Sequence, residues 1–207
     1  MEQFHRTNER GFSLVELFIA MTVTLILLSG IGVLLADSLS TRSRENTRTE
    51  ALVAAQGALN IMSREIANSG WGLNDNGIVF INSNANQLRI RANLNNTNLT
   101  TDDESEDVTY AYDAQNQAII RYDRNAATST IVASGITQLN FGYSDYKVQN
   151  NGTVLIQPFG AAATVDTSKV RITISIALRK TGNQPDSTIT LTNEVSLRNA
   201  GFLLKGY

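Results

Sequence analysis

Residues 12–36 form an apolar run broken by a single charge, Glu16. As a helix, 25 residues reach about 37 Å, against roughly 30 Å of bilayer hydrocarbon, so the run spans a membrane with some tilt. A lone carboxylate costs roughly 2.5–3.5 kcal/mol at the centre of such a helix. Glu16 lies near one end, where the cost is smaller, but it still calls for a partner. The small residue Gly11 stands before the run instead of after it. A secretory signal has a shorter apolar core followed by its cleavage site. A cut at Gly11 would instead leave the helix on the product.

The rest of the composition restricts the chemistry. The 207 residues carry a formal net charge of −2 and are 42% hydrophobic, which suits one membrane segment and one globular domain. Removing Glu2, Arg6, Glu9 and Arg10 with the leader leaves that balance unchanged. No basic excess points to nucleic acid. The chain lacks cysteine, and its one histidine, His5, precedes Gly11. A product beginning at Phe12 would contain neither, which removes Ser-His-Asp and Cys-His catalysis and most zinc chemistry. The carboxylates show no paired arrangement, so no enzyme and no cofactor is expected. Arg6 and Arg10 precede the span while Arg42, Arg44 and Arg48 follow it, so the positive-inside count does not set the orientation.

The sequence Gly11-Phe12-Ser13-Leu14-Val15-Glu16 resembles the class III signal of type IV pilins and type II secretion pseudopilins. The resemblance implies that a membrane prepilin peptidase cuts between Gly11 and Phe12 and methylates the new amino terminus at Phe12. It implies that Glu16 is the subunit-assembly residue, pairing with the terminal amine of a neighbour. It further implies a cytoplasmic leader, a bacterial inner-membrane anchor and an extracytoplasmic carboxyl-terminal domain, later carried into a pilus or pseudopilus. The expected partners are the peptidase, other pilin subunits, the assembly machinery and membrane lipid. Geometry agrees, since the new amine and Glu16 lie four residues apart, one helical turn.

Beyond Ala36 the chain is free of proline as far as Gln157. Leu52, Ala55, Leu59, Met62 and Ile66 follow alternating three- and four-residue steps, predicting an amphipathic helix. Ser69, Gly70 and Gly72 supply its stop. Gly30 and Gly32 interrupt the apolar part, either loosening the helix or allowing close helix packing. After Gly70 the period changes. Val170, Ile172, Ile174, Ile176 and Leu178 alternate with polar residues, and Ile189, Leu191, Val195 and Leu197 continue after a loop over 181–186, predicting a hairpin. Further strands are expected over 78–81, 87–92, 108–113, 117–122 and 136–143. The expected class is α+β, the type IV pilin fold: a long amino-terminal helix on an antiparallel sheet domain. The divisions are a leader over 1–11, a transmembrane helix over 12–36, an amphipathic spine over 37–69 and a β-rich head over 70–207.

Two further segments narrow the resemblance. Residues 61–70, ending Ser69-Gly70, are similar to the end of the spine in PilW-type minor pilins and J-type pseudopilins. Val195-Ser196-Leu197-Arg198-Asn199 is similar to their final strand. The length and the missing cysteines also favour a minor subunit over a major pilin. A J-like pseudopilin is the alternative within this group, and a monomeric signal-anchored binding protein the alternative outside it. Asp102, Asp103, Glu104, Glu106 and Asp107 offer hard oxygen ligands suited to calcium. They lack the spacing and glycine of an EF-hand and follow an Asn-rich stretch, so a solvated loop is expected, with calcium as the alternative. Trp71 is expected to pack beneath the spine.

Overall fold

Without proline to interrupt it, the amino-terminal sequence forms one helix, α1 (Leu14–Ala67). The computed structural model describes residues 13–95, 100–178 and 187–201. The chain divides into two units, Met1–Thr47 and Arg48–Tyr207, and α1 supplies residues to both.

In the first unit the described helix is solvent-exposed along its apolar length, from Leu14 to Leu39. Gly30 and Gly32 lie within it without a break, and open space surrounds both. The hydroxyls of Thr22, Thr24 and Ser29 donate back to carbonyls of the preceding turn, at 2.9 Å to Ile19, 2.7 Å to Ala20 and 2.8 Å to Leu25. Each polar side chain is therefore satisfied inside the helix, as a lipid environment requires.

In the second unit α1 presents the expected stripe. Ala55, Ala58, Leu59, Met62 and Ile66 are buried, while Leu52 is half-buried at its edge. Two antiparallel sheets share this core. The first is a meander, β1 (Gln87–Arg91), β2 (Asp107–Asp113), β3 (Ala118–Asp123) and β4 (Thr128–Ser134). The second has the order β6-β5-β7-β8, built from β5 (Gln138–Val148), β6 (Val154–Ile156), β7 (Thr167–Leu178) and β8 (Ser187–Ser196). Period-two alternation sends Leu88, Ile90, Val108 and Tyr110 inward from the first sheet. From the second it sends Leu139, Phe141, Val170, Ile172 and Ile174 into the same core. The chain is thus α+β, with the architecture of the type IV pilin fold.

Hydrogen bonds fasten the helix to both sheets. The buried Tyr110 hydroxyl donates to Glu65 Oε2 at 2.6 Å, and Arg121 Nε donates to both Glu65 oxygens at 3.2 Å. Burial raises the Tyr110 pKa, and the nearby Glu65 carboxylate raises it further, so the phenol stays protonated as donor. After β8, Arg198 donates its backbone N–H to the Ala67 carbonyl at 3.1 Å and its Nη1 to Asn68 Oδ1 at 3.0 Å. Asn199 Nδ2 donates to the Ser69 carbonyl at 2.9 Å. Carbonyls that a helix end leaves open are thereby capped by the last segment of the chain.

Two sequence expectations need correction. Residues 78–81 do not form a strand: Ile78 makes one isolated bridge to Ile90, and Phe80–Asn82 is a 3-10 turn. Ile78 is buried in the core, but Phe80 and Ile81 face outward, Ile81 82% exposed. Trp71 is 55% exposed and does not lie beneath the spine, because the turn that ends α1 carries it outward. The strand β4 went unrecognised, since its outward residue is the apolar Ile131 and its polar residues include Thr130. The loop over 181–186 lies outside the described residues.

Gly77 closes this turn. It has a φ of +73°, and a Cβ there would stand 2.0 Å from the Gly70 nitrogen and 2.3 Å from the Arg91 carbonyl oxygen. Both neighbours are backbone and cannot rotate away. Replacing Gly77 by Ala is expected to lower the unfolding free energy by roughly 2–4 kcal/mol, combining left-handed strain with overpacking. Chemical denaturation checks this, and an unchanged midpoint would contradict the packing described.

Candidate functional site

The first described residue, Ser13, caps α1. The Leu17 N–H donates to the Ser13 carbonyl at 3.1 Å, and the Val15 N–H reaches Ser13 Oγ at 3.4 Å. In return, the Ser13 N–H donates to Glu16 Oε2 at 3.1 Å. This is one half of a capping box: the side chain of the third helical residue reaches back to the cap N–H, while the cap hydroxyl accepts from the second helical residue, Val15, instead of from Glu16. The positive end of the helix dipole also favours a carboxylate there. Glu16 therefore points back along the helix toward the chain end that cleavage would expose. Gly11 and Phe12, the expected cleavage and methylation residues, lie outside the described residues.

The cap was overlooked at the sequence level, although its signal was present: Ser13 and Glu16 stand at the S-x-x-E spacing. The helix that follows is apolar enough to cross a membrane, with a mean hydropathy of 2.5 over its best 18-residue window and none of that window buried. Glu16, the one charge of residues 12–36, sits at the capped end of this helix.

In the acidic run Asp102, Asp103 and Glu104 are exposed, as in a solvated loop, while Glu106 and Asp107 are buried. Carboxylate oxygens of Asp102, Asp103 and Glu106 come within 4.8 Å of one another. Glu106 is buried and accepts the N–H groups of Leu94 at 2.6 Å and Asp103 at 3.1 Å. Asp102 accepts the Thr100 hydroxyl at 2.8 Å, and Asp103 accepts Asn95 Nδ2. Asp107 leaves this group altogether and pairs with Arg89 through two bonds of 2.8 and 2.6 Å. Glu104 is exposed. These carboxylates thus tie the loop to its own backbone and to β1.

Asp123 completes the loop. Burial alone would raise its pKa, but the backbone N–H groups of Ala126, Ser105 and Asn125 and the Arg121 guanidinium outweigh this, and the net shift is downward. The Ser105 bond is 2.6 Å.

Comparison with known proteins bears on the amino-terminal site. Residues 6–32 match the family model described as the prokaryotic N-terminal methylation motif. A search of the curated proteins and of the solved structures found no match. The matched span contains the capped helix start, Glu16 and much of the apolar run.

A carboxylate with a depressed folded-state pKa stabilises the fold above its unfolded value, about 3.9 for Asp. That contribution is lost as the pH falls through the lower folded value. The melting temperature is therefore expected to drop as the pH is taken below about 4. Asp123→Asn should flatten that decline, and an identical acid profile for the variant would contradict the assignment. The chain carries the amino-terminal signal of a type IV pilin-like precursor, heading an apolar helix suited to anchoring it in a membrane.

Proposed function

We propose that this chain is a PilW-like minor pilin, a structural subunit with no catalysis of its own that initiates or supports assembly of a type IV pilus. It is stored as a single-pass inner-membrane protein with its leader in the cytoplasm and its carboxyl-terminal domain outside. Prepilin peptidase cuts between Gly11 and Phe12 and methylates Phe12.

One observation carries this proposal. Within the matched residues 6–32, Glu16, the one charge of the apolar run 12–36, stands at the capped start of an exposed helix. A charge in that position is costly for a solitary anchor and useful for one that docks. Before cleavage, Glu16 is held by the Ser13 N–H. Cleavage creates a cationic amine at the same helix end. In lipid, the Glu16 carboxylate of one subunit then neutralises the amine of a neighbour and fixes the axial register between their helices. The segment after β8 supports a minor-subunit role by resemblance, and Arg198 and Asn199 use it to hold the end of α1.

A J-type pseudopilin is the alternative favoured by the same two segments. Deleting the gene separates the two: loss of surface pili marks the pilin, and loss of protein export marks the pseudopilin. The assembly step is tested with Glu16→Ala. The variant is expected to be processed normally yet to be depleted at least tenfold from sheared filaments, measured by immunoblot against the membrane fraction. Incorporation at the wild-type level would overturn the docking role and favour a monomeric anchored protein.

A further inference from the structure

The outward face of the second sheet carries a groove that the assembly role does not use. Because Leu139, Phe141 and Tyr143 of β5 point into the core, Gln138, Asn140 and Gly142 point away from it. Their partners on β7 are Ser175, Thr173 and Arg171. The segment containing Phe159 and Gly160 lies along this face and walls one side of a shallow, open groove of about 370 Å³. That lies within the roughly 300–1,000 Å³ typical of small-molecule sites.

The wall is preformed. Gly160 exchanges two backbone hydrogen bonds with Tyr143, at 2.7 and 2.8 Å, and Gln157 donates its N–H to the Asp145 carbonyl at 2.7 Å. The Phe159 ring rests 3.5 Å from where a Cβ on residue 142 would stand, so Gly142 lets the ring lie close on the sheet. The Arg171 guanidinium stacks on that ring at 3.8 Å from its centroid.

Most asparagines described elsewhere in the second unit use their amides internally, as Asn76, Asn125, Asn193 and Asn199 do. Asn140 and Thr173 are only half-exposed, yet neither makes a side-chain hydrogen bond among the described residues, and neither does Gln138. Two amides and a hydroxyl thus line one open groove with their donors and acceptors available. The charge there is balanced, because Arg171 pairs with Glu194 at 2.7 Å.

We infer that this groove binds a neutral glycan chain. Side-chain amides match the paired donor and acceptor character of sugar hydroxyls, and the Phe159 edge offers an apolar wall to sugar C–H groups. The balanced charge disfavours an ionic polymer. An extended peptide fits less well, since it would need free strand backbone. The Phe141 N–H is already bonded to the Ala85 carbonyl and the Tyr143 N–H to Gly160.

The test uses the full chain in lipid nanodiscs and saturation-transfer NMR with chitohexaose, cellohexaose and maltohexaose. At least one hexasaccharide is expected to receive saturation. Transfer to chitohexaose alone points to an N-acetylated glycan such as that of a cell wall, and transfer to the others points to an unacetylated polysaccharide. Asn140→Ala and Thr173→Val should each weaken binding about fivefold or more. Thr128→Ala on β4 should leave it unchanged. Circular dichroism melting verifies that each variant folds, and the isosteric Thr173→Val preserves packing if Asn140→Ala does not. Absence of transfer from all three sugars, full binding by both groove variants, or capture of an uncharged peptide in place of the sugars would overturn the inference.

Discussion

The Ser13–Glu16 helix cap is the interaction from which the account of this chain follows. A carboxylate in an apolar helix must find hydrogen-bond donors, and the open N–H groups at a helix start are the nearest ones available. Glu16 accepts the Ser13 N–H there and Ser13 Oγ accepts that of Val15, and the hydroxyls of Thr22, Thr24 and Ser29 bond to carbonyls of their own helix. The segment therefore exposes apolar surface in every direction except at its capped end, which holds the Glu16 carboxylate.

The second unit meets a different constraint. Its part of α1 is apolar on one stripe only, so the helix is held by a core shared with two sheets. Packing alone leaves the helix end open. Glu65 takes donors from Tyr110 and Arg121, and the backbone and side chains of Arg198 and Asn199 close the last carbonyls. Residues separated by most of the domain thus depend on each other, and the turn through Gly70 and Gly77 tolerates little added volume because a Cβ at either position would strike backbone atoms of the turn or of Arg91.

Much of this was legible in the sequence because burial imposes a period. The stripe Ala55, Leu59, Met62 and Ile66 and the alternation of Val170, Ile172, Ile174 and Ile176 both lie where their spacing places them. The failures have physical causes. At Ile78 to Ile81 a short apolar run looked like a strand, but such runs carry no period of their own. In β4 the apolar Ile131 faces outward, reversing the usual signal. Trp71 is apolar and exposed because the turn geometry, which no local pattern encodes, directs it. In the acidic loop Asp102, Asp103 and Glu104 are exposed, as a solvated loop would have them, whereas Glu106 and Asp107 are buried on donors that no local pattern encodes. The groove around Asn140 could not be seen, since it depends on the segment at Phe159 crossing the sheet.

The central claim is that Gly11 marks a cut and that the cut exposes an amine at Phe12 beside Glu16. Intact-mass and amino-terminal analysis of the protein purified from its own membranes tests this most directly. The account predicts a chain that begins at Phe12 and is heavier by one methyl group on its terminal nitrogen. A chain that retains residues 1–11 in cells with an active prepilin peptidase would contradict it.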